Sequence, residues 1–184
     1  IKQQLKPYYE KTLKLLKTAY EDGNSYSLVF ECIDIEKDPH IIKYNESKVI
    51  LLDIIENSVD FKKYSYEKVK ETADLLALPC KEQCFTIQEA DELRKIFKEI
   101  SKDDYKWKNH FIEGFVFEDS NLFMFKYKCE YYKYWKVLRG QVETIFAGGK
   151  PKIKHPFLKW VQEDKSRFGK DIISLRSEYQ KTHR

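Results

Sequence analysis

Residues 111–136 read FIEGFVFEDSNLFMFKYKCEYYKYWK, and this stretch decides the fold. In IEGFVFE the residues alternate, with Glu113, Phe115 and Phe117 on one face and Ile112, Gly114 and Val116 on the other. Asp119, Ser120 and Asn121 are turn formers, so the chain reverses there. The returning LFMFKYK places Met124, Lys126 and Lys128 on one face and Phe123, Phe125 and Tyr127 on the other. Lys126 and Lys128 are then neighbours about 7 Å apart along the strand. A two-residue loop of Ser120 and Asn121 sets Lys128 directly opposite Glu113. A three-residue loop moves the pairing by one and separates those faces.

Two lysines side by side on a strand, with a glutamate across from them, suit a phosphate and its metal. The ammonium groups act as point charges toward phosphate oxygens, and the carboxylate holds Mg²⁺ directly or through water. The competing reading is an amphipathic hairpin whose charged face is merely solvated. Spacing alone favours that plainer reading, because KxK is common in strands.

The motifs add a second argument. EGFVF, then FKYK and an aromatic cluster, resembles motifs IV and V of the covalent nucleotidyltransferases, the superfamily of polynucleotide ligases and mRNA capping enzymes. The spacing and the aromatic run are most similar to the type-1 RNA ligases, the bacteriophage tRNA-repair kind. FECI, followed by HIIKY and KVILLDIIEN, resembles motifs III and IIIa of the same family. The four motifs stand in the family's order across residues 24–136. The resemblance implies an α+β nucleotidyltransferase fold, mainly antiparallel sheets flanked by helices, with the nucleotide between them. It also implies roles: Glu31 on the ribose hydroxyl, Lys126 and Lys128 on the α-phosphate, Glu113 on Mg²⁺, and Tyr132 facing the phosphates. ATP and Mg²⁺ are the implied cofactors, and RNA ends, tRNA among them, the implied partners.

One required motif is missing. The string YEDG at residues 20–23 has Tyr20 where the nucleotidylation motif KxDG has lysine, and KxDG occurs nowhere else. A tyrosine cannot form the lysyl-AMP phosphoramidate. Plainly read, Asp22 and Gly23 are a helix-to-strand turn. In type-1 ligases the lysine precedes a helix leading into motif III, so the expectation is a fragment, incomplete at its N-terminus, that does not adenylylate itself. Two further classes stay open: a non-catalytic RNA-binding relative, and an unrelated interaction domain whose motif matches are chance.

Composition sets the outer bounds. The chain has 184 residues, 42% hydrophobic and 35% charged, which suits one domain or one domain plus an appendage. A net charge of +4 excludes a general polycation, so affinity for nucleic acid must come from local clusters. Cys32, Cys80, Cys84 and Cys129 are scattered without zinc spacing, and no signal peptide or long apolar run occurs. A reduced, cytoplasmic setting is expected.

Along the chain, residues 3–20 carry Leu5, Tyr8, Tyr9, Leu13, Leu16 and Tyr20 at helical spacing up to Gly23. Residues 25–35 predict a strand with Leu28, Phe30 and Cys32 on one face and Val29, Glu31 and Ile33 on the other. Glu31, flanked by β-branched residues, needs a polar cavity or, as an edge residue, solvent. Residues 40–44 and 48–56 predict two more strands. Ser65 caps a helix from Tyr66 to about Leu78, and Thr86 to Glu89 form a capping-box pattern for the next. After Lys128 helical periodicity resumes to Gly140. Gly148, Gly149 and Pro151 mark a boundary, so residues 1–147 are expected to belong to the nucleotidyltransferase domain and 148–184 to a helical extension. Pro156 opens that tail, with a break near Gly169.

Overall fold

In the computed structural model, which describes residues 2–37, 40–60 and 62–183, the chain divides into two units. The first comprises Ile1–Asp38 and Tyr44–Thr86, the second Pro39–Lys43 and Ile87–Arg184. Each combines helices with an antiparallel sheet, so the architecture is α+β.

The first unit holds helix α1 (Lys2–Glu21), strands β1 (Tyr26–Ile33), β2 (Lys48–Glu56) and β3 (Lys62–Lys63), and helix α2 (Tyr66–Leu76). The strands form an antiparallel meander in chain order. Leu28, Phe30 and Cys32 face the core as their alternation predicts, against Val49, Leu51, Ile54, Val69, Ala73 and Leu76. Helix α1 contributes Tyr8 and Leu15 to that core, whereas Tyr9, Leu13 and Tyr20 are exposed. Its apolar stripe is therefore rotated from the predicted one; the side chain of Leu5 lies outside those described. Ser65 caps α2 as expected, and Ala77, in the left-handed conformation at φ +57°, ends it.

A bulge in β2 decides which side chains reach the core. Val29 pairs with Asp53 but Phe30 pairs with Leu51, leaving Leu52 as the extra residue. Strict alternation would put Leu51 and Asp53 on the same face; the bulge keeps Leu51 and Ile54 in the core and turns Asp53 away. Residues 79–81 satisfy the backbone there, with Leu51 N–H donating to Pro79 O and Lys81 N–H to Leu51 O. On the opposite face Asp53 forms ion pairs with Lys63 at 3.2 Å and Lys81 at 2.9 Å. The Lys63 side chain is 1% exposed, and Asp53 is among the groups that balance its buried charge.

The second unit holds helix α3 (Ala90–Ile100), the hairpin strands β4 (Gly114–Glu118) and β5 (Met124–Lys128), and helices α4 (Glu130–Phe146), α5 (Pro156–Glu163) and α6 (Ile172–Thr182). Phe97 on α3 packs on Phe117, Phe125 and Tyr127 of the hairpin, with ring centroids 5.1, 6.0 and 5.4 Å away. That aromatic contact fixes which hairpin face is inward. The three later helices share a core of Trp135, Leu138, Phe157, Trp160 and Leu175. Buried Arg176 lies over Tyr131 and Trp135 and donates to the Ile41 carbonyl at 3.0 Å.

Four expectations need correction. Residues 40–44 form no strand: Ile41 and Ile42 are buried, and the Ile41 carbonyl accepts from Arg176 rather than from a sheet partner. Helix α3 starts at Ala90, because the Thr86 hydroxyl is taken by the Gln83 amide and the Glu92 carboxylate caps Gln88 N–H instead. Helix α4 runs through Gly140 to Phe146, held by Val142 and Ile145 in the core. The predicted strands at 112–118 and 122–128 are shorter, at Gly114–Glu118 and Met124–Lys128: the first loses its start at the Gly114 twist, and the second loses its start to the turn. The helices flanking Gly169 form as expected. Among the described residues no helix is long and apolar enough to cross a membrane.

Candidate phosphate site

The hairpin turn sets the register. Asp119 accepts with its carboxylate from the N–H groups of Asn121, at 2.8 Å, and Phe123, at 2.9 Å. Its own N–H donates to Phe123 O, and Leu122 adopts the left-handed conformation at φ +64°. The turn thus spans three residues, not two. The pairing moves by one, so Lys128 stands opposite Gly114 and Lys126 opposite Val116. Gly114, Val116, Glu118, Met124, Lys126 and Lys128 share one face; Phe115, Phe117, Phe125 and Tyr127 share the other, against α3.

This register should have separated Glu113 from Lys128, yet the two form an ion pair. Gly114 explains it. Its φ of +153° is open only to glycine at low cost, and a Cβ there would lie 2.0 Å from the Tyr127 carbonyl oxygen. The twist at Gly114 takes Glu113 out of the strand's alternation, and the missing side chain leaves its carboxylate a path to Lys128. Cys129 N–H donates to Glu113 O at 3.0 Å and fixes the glutamate's backbone.

Helix α4 begins immediately after Lys128 and brings Tyr132 alongside. The Lys128 ammonium lies 5.2 Å from the Tyr132 ring centroid, and that of Lys136 lies 5.7 Å from the same ring. The Tyr132 hydroxyl titrates above its usual value: burial is the main cause, the Glu113 charge and a hydrogen bond to it add, and Arg139 opposes. Burial likewise pushes the Cys129 thiol up, against the pull of Lys133, so this thiol is not an activated nucleophile. Phe111 stacks on Tyr131 at 3.6 Å, tying the approach to β4 onto α4.

Four of the five candidates, Glu113, Lys126, Lys128 and Tyr132, lie in the second unit on the hairpin and the first turn of α4. Lys126 is exposed, two residues from Lys128 on the same face, and makes no ion pair among the described residues. Val116, 57% exposed, and Met124 give that face an apolar strip beside the cations. Glu31 belongs to the first unit, exposed on β1 opposite Ile50.

The acid groups limit what metal the site takes. Among the described residues no three His, Cys, Asp or Glu side chains gather to ligate a cation. Glu113 stands alone and shared with Lys128, which fits Mg²⁺ held by one carboxylate, substrate phosphates and water, and does not fit an all-protein cage. Sequence reasoning missed Lys136 and Arg139; their spacing of four and seven residues from Tyr132 was the available signal.

The family model for RNA ligase of the T4 type matches residues 1–134. No curated protein matches the chain.

Proposed function

The chain belongs to the T4-like RNA ligase family, and from that premise we propose that it carries the phosphate-handling part of an ATP-dependent ligase joining RNA 5′-phosphate and 3′-OH ends. The observation that carries the reading is the Glu113–Lys128 pair, set over Gly114 with Lys126 beside it on an exposed face.

In this reading a lysine nitrogen attacks the α-phosphorus of ATP and pyrophosphate leaves with the bonding electrons. The lysyl-AMP then passes AMP to the RNA 5′-phosphate, and the 3′-OH displaces AMP as the bond seals. Lys126 and Lys128 hold the α-phosphate oxygens, whose charge is redistributed in the transition state. Glu113 orients the Lys128 ammonium and offers its remaining oxygen to Mg²⁺, which when bound neutralises phosphate charge. Tyr132 forms a partly buried wall that removes water from around Lys128. The strip of Val116 and Met124 supports the flat face of the nucleotide beside the charges. Glu31 serves the ribose hydroxyl as an acceptor. Residues 148–184 are read as a helical extension, outside the family match over residues 1–134.

The nucleophile is not among the residues named, since no KxDG occurs in the sequence. Mixed with ATP and Mg²⁺, this chain should therefore form no covalent adenylate by intact mass, yet should bind AMP by calorimetry in a manner that needs Lys126. A covalent adenylate would mean that another lysine serves and that the motif assignment is wrong. Absence of AMP binding would leave the hairpin a scaffold.

A further inference from the structure

The ammonium groups of Lys128 and Lys136 both stand at the ring of Tyr132, with Lys126 two residues before Lys128 on the same strand face, and Glu113 pairs with Lys128. Lys136 lies two residues past the end of the family match. It sits one helical turn beyond Tyr132, and because helical side chains lean toward the N-terminus it reaches back over that ring. Its ammonium is 5.7 Å from the ring centroid, while Lys128 is 5.2 Å from the same centroid. The other cations on this part of α4 are neutralised: Lys133 by Glu130 at 2.6 Å and Arg139 by Glu143 at 3.5 Å. Lys136 makes no ion pair among the described residues. Two like charges held at one aromatic ring, with the one carboxylate shown there already engaged by Lys128, favour an added anion.

We propose that Lys136 and Tyr132 form a second phosphate position, beyond the one at Lys126 and Lys128, which takes a terminal phosphate. The inference rests on reading Lys126 and Lys128 as phosphate ligands. Two sources supply that chemistry: the pyrophosphate end of the nucleoside triphosphate and the 5′-phosphate of the RNA. Both ammonium groups stand at the Tyr132 ring, 5.2 and 5.7 Å from its centroid, so a phosphate at Lys136 would neighbour the one at Lys128. Lys136 is then a binding and positioning residue.

The test is calorimetric titration of the chain with AMP, inorganic pyrophosphate, and one short RNA carrying either a 5′-phosphate or a 5′-OH. Wild type is compared with Lys136→Gln, Lys136→Arg and Lys126→Ala, each checked for folding by its melt. Lys136→Gln should weaken either pyrophosphate or 5′-phosphorylated RNA by about tenfold, leave AMP unchanged, and be largely rescued by Lys136→Arg. Loss confined to pyrophosphate assigns the triphosphate end; loss confined to 5′-phosphorylated RNA, with 5′-OH RNA unaffected, assigns the RNA end. If Lys136→Gln is silent on both ligands while Lys126→Ala weakens AMP, the second position is refuted and the first stands. If Lys126→Ala is silent on AMP while Lys136→Gln weakens a phosphate ligand, the nucleotide reading fails and the Lys136 position survives. Binding of none of these ligands overturns both.

Discussion

Replacing Gly114 with alanine tests the device that joins Glu113 to Lys128. The new Cβ would meet Tyr127 O at 2.0 Å, Lys128 Cα at 2.8 Å and Tyr127 C at 2.9 Å. All three are backbone atoms of the partner strand, so no rotamer change relieves the overlap; the strands must separate. Holding a side chain at φ +153° costs about 1–3 kcal/mol. Opening the hairpin end loses the Cys129–Glu113 backbone hydrogen bond and its neighbours at about 1 kcal/mol each. The total is about 3 kcal/mol or more, a large share of a domain's stability of about 5–15 kcal/mol. For a unit of this size that is a drop of roughly 10 °C or more in Tm. Two controls separate the clash from backbone strain. Gly148, at φ +79° with nothing near its Cβ position, should cost only about 1 kcal/mol as alanine. Gly140→Ala, in the interior of α4 with open space around it, should stabilise by roughly 0.5–1 kcal/mol. The assay is a set of circular-dichroism melts, with amide hydrogen exchange across residues 114–128 to localise the loss. Gly114→Ala melting like Gly148→Ala, with the hairpin amides still protected, would refute the close-approach argument and the account of Glu113 with it.

The other predictions concern charge. In a longer chain that carries a KxDG lysine, Lys126→Ala or Lys128→Ala should slow single-turnover adenylylation by about two orders of magnitude, roughly 3 kcal/mol of barrier, with partial rescue by arginine. Unchanged rates in both folded variants would make the hairpin scaffold. Asp53→Ala removes the 3.2 Å ion pair of the buried Lys63 ammonium and should cost about 3–5 kcal/mol, whereas Asp53→Ala with Lys63→Met should recover much of it; equal melts for the single and double variants would contradict this. Asp171 caps α6, and although burial pushes its carboxyl up, hydrogen bonds from Ser174 and Ile173 outweigh that and hold it below its usual value. Its contribution is therefore present above the ordinary carboxyl pKa of about 4 and lost as pH falls through the lower folded value. Asp171→Asn should keep the cap at neutral pH and flatten the stability–pH curve on the acid side; an unchanged curve would refute it.

Much of the local structure was legible because each element buries its own apolar stripe. Leu28, Phe30 and Cys32 point inward wherever β1 is placed, and Leu93, Phe97 and Ile100 stay on one face of α3. What failed was decided by partners distant in sequence. The strand expected at 40–44 never forms because Arg176, far along the chain, claims the Ile41 carbonyl. In β2, alternation would send Asp53 into the core; a bulge at Leu52, stabilised by residues 79–81, turns it onto two lysines instead.

For the candidate site, sequence alone determined the residue types and their order: a glutamate and glycine opening one strand, two lysines closing the next, and a tyrosine one helical turn on. Those follow from side-chain period and turn chemistry, which are local. Tertiary structure decided whether they meet. Asp119 selects a three-residue turn through hydrogen bonds to its own loop, and this shifts the register by one. The shift alone would part Glu113 from Lys128. The twist at Gly114, open to glycine because it has no side chain to meet the partner backbone, brings them back together. Helix α4 then carries Lys136 over Tyr132, because in a helix residues four apart share a face.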